Sequence, residues 1–88
     1  MTIWTVVVSP EAQTQLEKLT KSDRERVYSF LKRLEGLEKP LTIARRMKGN
    51  WAGTYRFRVG KMRIVCSVFE NLFVIEALVI DKRSDVYD

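Results

Sequence analysis

The side chains with the most chemistry to offer stand in one run, Tyr55-Arg56-Phe57-Arg58-Val59-Gly60-Lys61-Met62-Arg63-Ile64-Val65-Cys66-Ser67-Val68-Phe69. Val59 and Met62 flank Gly60-Lys61, and a Gly-first two-residue loop between strand-like runs predicts a β-hairpin with a type II′ turn. That loop fixes the register: Val59 pairs with Met62, Arg58 with Arg63, and Arg56 with Val65. Side chains alternate along a strand and opposed residues share a face, so Arg56, Arg58 and Arg63 project from one side of the sheet. Like charges directly opposite each other destabilise a sheet. Folding alone gives no reason for Arg58 to face Arg63; a bound polyanion does, since the planar guanidinium grips phosphate oxygens in pairs.

The other reactive side chains offer less. There is no histidine, so nothing would activate Cys66, which shares the opposite face with Phe57, Ile64 and Val68 and reads as a small core hydrophobe. With a two-residue turn at Glu70-Asn71, Phe69 would pair with Leu72, Val65 with Glu76, and Arg63 with Leu78. Glu76 would then join the arginine face, where offsetting the repulsion is a better reading than catalytic base. Trp51 reads either as a base-stacking platform or as an aromatic anchor at the sheet edge, and the anchor is preferred. From composition alone, Arg83 and Tyr87 in the tail are solvated residues without a function.

The charge distribution points the same way. The formal net charge is +5, but residues 1 to 38 carry six acids and six bases, and residues 70 to 88 carry five acids and two bases. Between them stand Lys39, Arg45, Arg46, Lys48, Arg56, Arg58, Lys61 and Arg63 with no acid at all. Such asymmetry is the footprint of a nucleic-acid partner. For a charge run alone, a solvated surface that aids solubility is slightly the better explanation; the shared face of three arginines reverses that.

The elements that must position these residues are legible in outline. Ile3 to Val8 reads as a first strand. Ser9-Pro10-Glu11 supplies an N-cap, a proline at the first helical position and an acid in the first turn. Ala12, Leu16 and Leu19 then line one face of a helix of about three turns. Ser22-Asp23-Arg24-Glu25 has the Ser-x-x-Glu pattern of a capping box. Val27, Phe30, Leu31, Leu34 and Leu37 carry the second helix to Gly36 and Pro40. Leu41 to Lys48 reads as a loop with one helical turn, Gly49 to Gly53 as a turn, and Leu72 to Ile80 as a long apolar strand. The fold class is α+β, in the order β-α-α-β-β-β, with an N-terminal helical hairpin packed on one face of a small, mainly antiparallel sheet.

Eighty-eight residues suit one domain, spanning 1–88, with one modest core. No apolar run approaches the ~20 residues of a membrane span, and Met1 to Val8 lacks the basic start and cleavage site of a signal peptide. The single cysteine cannot form an internal disulfide, which agrees with the expected cytoplasmic location.

With its residues in this order, the sequence resembles the RelE/ParE toxin superfamily nearly end to end. The resemblance rests on Val7-Val8-Ser9-Pro10-Glu11-Ala12, Leu16-Glu17-Lys18-Leu19, Met47-Lys48-Gly49, the run from Tyr55 to Val65, and Lys82-Arg83-Ser84-Asp85-Val86-Tyr87. It implies the toxin of a type II toxin–antitoxin pair, neutralised by a RelB-like antitoxin in a hetero-oligomer. The RelE branch cleaves mRNA in the ribosomal A site, while the ParE branch is associated with inhibition of DNA gyrase. The Lys-Arg-Ser-Asp-Val-Tyr ending resembles the RelE branch.

That branch implies Arg56, Arg58, Arg63, Arg83 and Tyr87 as catalytic residues; the acid-free basic run adds Arg45, Arg46, Lys48 and Lys61 as RNA-binding residues, with Lys48 also the reserve candidate for the general base. The chemistry implied is attack of the RNA 2′-hydroxyl on its neighbouring phosphate, with no metal and no cofactor expected from a chain without histidine or a compact carboxylate set. Two departures from the family pattern stand out. Arg56 and Arg58 replace the lysines of the best-known RelE pattern, and arginine clamps phosphate well but is a poor general base. The sequence also stops at Asp88, without the C-terminal helix that many relatives add.

Overall fold

The structure, a computed structural model, describes residues 3–82; the expectations for Arg83 and Tyr87 lie outside the described residues. Strand β1 (Thr5–Val8) leads into α1 (Pro10–Glu17). The Ser9 hydroxyl oxygen accepts the Ala12 N–H at 3.1 Å, with Pro10 in the first turn as predicted. Helix α1 stops short of the predicted three turns because Thr20, extended at φ −61° and ψ 159°, already caps α2 (Lys21–Glu35). The Thr20 hydroxyl accepts the Asp23 N–H at 3.2 Å. The cap is therefore Thr20 and not Ser22, and Asp23 supplies the first-turn acid that the helix dipole favours. Gly36 closes α2 as predicted.

After one 3₁₀ turn at Pro40–Ile43 come β2 (Arg45–Arg46), a second 3₁₀ turn at Gly49–Trp51, β3 (Tyr55–Val59), β4 (Met62–Phe69) and β5 (Val74–Asp81). The five strands lie in the order β1-β5-β4-β3-β2. Strand β1 runs parallel to β5, and the other pairs are antiparallel. The α+β class and the mainly antiparallel sheet match the sequence reading, while the predicted β-α-α-β-β-β order gains a strand, β2. Two residues paired with Tyr55 and Arg56 carry no periodic signal that would have marked it.

One face of the sheet is covered by both helices: Ala12 and Leu16 of α1 and Val27, Leu31 and Leu34 of α2 are buried with Phe57, Ile64, Cys66, Ile75, Ala77 and Ile80. The other face has its own small cluster of Met47, Val65 and Val79, against which Trp51 and Leu78 pack. Trp51 is thus the half-buried anchor that the sequence reading preferred. Among the described residues, no helix is long and apolar enough to cross a membrane.

The β3–β4 register is the predicted one, with Val59 opposite Met62, Arg58 opposite Arg63 and Arg56 opposite Val65. Gly60 has φ +60° while Lys61 is not among the positive-φ residues, as a type II′ turn requires. The β4–β5 register is not as predicted. Glu70–Leu72 form a 3₁₀ turn and Phe73 adopts a left-handed conformation, φ 54° and ψ 47°, so Phe69 faces Val74 and not Leu72. The Phe73 ring meets Trp4 edge-on at 5.4 Å, which anchors this strained residue.

A bulge then interrupts the β4–β5 ladder. Cys66 pairs with Ala77 and Val65 with Val79, leaving Leu78 as the extra residue. The extra residue inverts which side chains face the helices, so Val79 and Asp81 turn to the far side and Ile80 enters the helix-covered core. Helix α1 satisfies the polar groups that the bulge displaces: the Ser9 hydroxyl donates to the Leu78 carbonyl at 3.3 Å, and the Gln15 side-chain oxygen accepts the Ile80 N–H at 2.7 Å.

Candidate functional site

The sheet face opposite the helices gathers the arginines into two cross-strand rows. In the first, Arg45 of β2 lies opposite Arg56 of β3, which lies opposite Val65 and, beyond it, Val79. In the second, Arg58 lies opposite Arg63, which lies opposite Asp81 of β5. Directly opposed residues bring their Cβ atoms within about 4.5–5.5 Å, and successive same-face residues on a strand lie about 6.6 Å apart. Four guanidiniums and one carboxylate therefore crowd a small patch, with the Met47–Val65–Val79 cluster as its apolar floor.

Burial sharpens the electrostatics. Arg56 and Arg63 are 7% and 6% exposed, whereas Arg45 and Arg58 are open to solvent. Burial, and then the neighbouring charges of Arg63, Arg45 and Arg58, push the Arg56 guanidinium below the usual arginine range. It stays cationic all the same, since arginine holds its proton at any working pH. A cavity of about 390 Å³, lined by Thr42, Ile43, Ala44, Arg45, Arg56 and Arg58, opens beside the first row. Its walls come from the Pro40–Ile43 turn, so the segment read as a loop supplies one side of the site.

Arg45 is the residue that sequence reasoning undervalued. The sequence marks it only as an RNA-binding residue, whereas it sits directly across from Arg56, a position visible only once β2 is known to pair with β3. Arg46, expected beside it on the RNA surface, faces the other way. It pairs with Tyr55, its Nε donates to the Tyr55 hydroxyl at 3.4 Å, and its guanidinium lies 5.9 Å from the centre of that ring. The Tyr55 hydroxyl, and more weakly Glu70, raise the Arg46 pKa. A larger cavity, about 800 Å³, lies beside Arg46, Tyr55, Val68 and the Phe69–Leu72 turn and contains none of the four face arginines. Lys48 is exposed ahead of the Gly49–Trp51 turn, and Lys61 is exposed at the hairpin tip.

Glu76 is the clearest correction. It stays on the arginine face, as expected, but lies opposite Ser67, not Val65, because the turn is longer than two residues. Ser67 is four residues along β4 from Arg63, roughly 13 Å at strand rise. The acid opposite Arg63 is Asp81, which the sequence reading passed over. Cys66 behaves as expected: it is buried in the helix-covered core, and burial pushes its thiol up to about 12. Among the described residues, no group of three or more His, Cys, Asp or Glu side chains is placed to hold a metal ion.

Comparison with known proteins identifies the architecture. The family model described as ParE toxin of type II toxin–antitoxin system, parDE, matches residues 6–87. No curated protein sequence matches the chain. Among solved structures, the chain is similar to one in the toxin–antitoxin complex RelBE2 from Mycobacterium tuberculosis, at 24% identity and a TM-score of 0.84 over 93% of this chain and 100% of that one. A chain of the archaeal RelE–RelB complex from Pyrococcus horikoshii is 25% identical with a TM-score of 0.74, covering 97% and 100%. The YoeB dimer from Staphylococcus aureus gives 18% and 0.65, covering 93% and 99%.

Proposed function

This chain belongs to the ParE toxin family of type II toxin–antitoxin systems, and we propose that it acts as a RelE-like endoribonuclease that cuts mRNA on the ribosome and so halts translation. The observation that carries this reading is the pair of arginine rows: Arg45, Arg56, Arg58 and Arg63 on one sheet face, two of them buried. A surface built for solubility has no reason to bury like charges side by side. A site for a phosphate that gains charge in its transition state does, because in many such reactions preorganised cations supply most of the rate enhancement.

In the proposed reaction the RNA 2′-hydroxyl attacks the adjacent phosphorus, leaving a 2′,3′-cyclic phosphate and a free 5′-hydroxyl. Arg56, Arg58 and Arg63 hold the nonbridging oxygens. Arg83 serves the leaving oxygen, and Tyr87 either stacks on a base or takes part in proton transfer, both by family resemblance. The ribosome orients the mRNA, and orientation alone is worth about 7–11 kcal/mol in favourable cases. Before that, a RelB-like antitoxin holds the toxin inactive, as the complexes of the structural relatives suggest.

The family match itself favours a second reading, a ParE-like toxin that binds and poisons DNA gyrase without cutting RNA. One experiment separates the two. The chain is induced in cells and mRNA 5′ ends are mapped. Codon-phased cuts that disappear in Arg63→Ala and Tyr87→Phe support the ribonuclease; intact mRNA accompanied by DNA-damage signalling assigns the gyrase reading.

A further inference from the structure

We propose that the Asp81 carboxylate is the general base of the arginine face, taking the proton from the attacking 2′-hydroxyl; the inference rests on the ribonuclease reading above. Four arginines can clamp and polarise a phosphate, but none can accept a proton. The face therefore needs an acceptor from another residue type. Asp81 is the carboxylate that the fold delivers, opposite Arg63 in the row that begins with Arg58. Glu76, with its distance of roughly 13 Å along the strand, is too far from that row to serve.

The placement of Asp81 depends on a built feature. Without the bulge at Leu78, continuing the Cys66–Ala77 register would put Ile80 opposite Arg63 and turn Asp81 toward the helices. The bulge is held from outside the sheet, by the Ser9 hydroxyl on the Leu78 carbonyl and the Gln15 oxygen on the Ile80 N–H. Helix α1 thus fixes the acid beside the phosphate clamp. Bulges recur where a sheet must re-aim a side chain at a site.

The chemistry balances. With the phosphate held by Arg58 and Arg63, the 2′-oxygen is joined to phosphorus through only C2′, C3′ and O3′, so it lies beside the clamp, and a nucleotide bound with its 2′ edge toward β5 brings it to Asp81. A carboxylate has about four acceptor sites, so a contact with Arg63 leaves capacity for the hydroxyl. Asp81 takes the 2′-proton as the 2′-oxygen forms its bond to phosphorus. The phosphorus–5′-oxygen bond breaks with its electron pair on the 5′-oxygen, which takes a proton from a water molecule. The hydroxide left behind removes the proton from Asp81 and restores the carboxylate.

The test is single-turnover cleavage of ribosome-bound mRNA by the purified wild-type chain, Asp81→Asn and Asp81→Ser, each across a range of pH, with binding measured separately. The expected result is a rate about 10²–10⁴-fold lower in both variants, mRNA binding unchanged or tighter, and loss of the limb in which the wild-type rate rises with pH. A 5′-thio leaving group should not restore the rate, because bond breaking to the leaving oxygen is not the step impaired. Rates within threefold of wild type overturn the proposal. So does a slower reaction that keeps the wild-type pH profile, which would mark Asp81 as a charge-balancing partner of Arg63, and so does rescue by the 5′-thio substrate. Circular dichroism of both variants identifies loss of fold, and the smaller Asp81→Ser decides if Asp81→Asn is unfolded. A wild-type chain that cuts nothing fails the ribonuclease reading and this proposal with it, whereas an active wild type with unaffected variants fails the proposal alone.

Discussion

The Gln15 side-chain oxygen on α1 accepts the Ile80 N–H of β5 at 2.7 Å, across 65 residues of sequence. It is the tie between the helix layer and the strand bulge, and its removal leaves a part-buried donor without its acceptor. Gln15→Leu, similar in size but unable to accept, should lower stability by about 1–3 kcal/mol, read as a shift in the urea midpoint at constant slope.

Arg45 and Arg46 are adjacent in sequence and face opposite ways, which turns a conservative pair of substitutions into a test of the site's location. Arg45→Ala should weaken RNA binding and reduce the slope of log K against log salt by about 0.7, the loss of one phosphate contact on a single strand. Arg46→Ala should leave both nearly unchanged, since its guanidinium is engaged with Tyr55 on the other side of β2. Filter binding over a salt series reads the two outcomes.

Gly60 sits at φ +60° in the hairpin turn, and a Cβ added there would meet the Arg26 guanidinium at 3.5 Å, an ordinary contact. The cost of Gly60→Ala is therefore backbone strain and not a clash, on the order of 1–3 kcal/mol. Thermal unfolding measures it. Because the same turn sets the Arg58–Arg63 pairing, cleavage should fall in this variant even at temperatures where it stays folded.

The Cys66 thiol is buried and raised to about 12, so little thiolate forms at neutral pH. A thiol reagent at pH 8 should leave the native chain unlabelled for as long as it stays folded, and should label it fully in denaturant. Fast labelling of the native protein would mean that the helix-covered core opens readily.

The Lys82 ammonium lies 3.0 Å from the Asp23 carboxylate, tying the end of β5 to the first turn of α2. The hydrogen bond from Lys82, helped by its charge and by Thr20, lowers the Asp23 pKa below 3.8. A carboxyl whose folded pKa is depressed adds stability above its unfolded pKa and loses it as pH falls through the folded value. The contribution should be fully present at neutral pH, begin to fall near pH 3.8 and be gone only once the pH has dropped below the folded value, which lies lower. In Lys82→Met the acid side of the stability–pH curve should flatten. With the pair at the surface, the effect should be small and weaken in high salt.

What the sequence made legible was whatever depended on local rules. The Gly60-Lys61 loop has only one comfortable turn type, so it fixed the β3–β4 register and the shared face of Arg56, Arg58 and Arg63. Ser9-Pro10 marked the start of α1 for the same reason. What escaped depended on distant partners. Strand β2 exists only because Arg45 and Arg46 find β3, and no pattern of two residues announces that. Glu70-Asn71 resembles a two-residue turn, but the chain spends two more residues, ending in a left-handed Phe73 held by Trp4. The bulge at Leu78 rests on hydrogen bonds from α1. Those two irregularities together brought Asp81 opposite Arg63, where the sequence reading had no acid, and the longer turn moved Glu76 one row along the same face, to a place opposite Ser67.

The strand order β1-β5-β4-β3-β2 has a consequence for how the chain comes to be active. Strand β5, made after every other strand, is inserted between the first strand and β4. Until residues 74–81 have left the translating ribosome, β1 has no partner and Arg63 has no acid across from it. Contacts between such distant segments are slow to form and come late in folding. A nascent chain thus carries the arginines of its site well before it carries the finished site. In the proposed toxin, that delay gives a co-produced antitoxin an interval in which to bind before the first ribosome can be attacked.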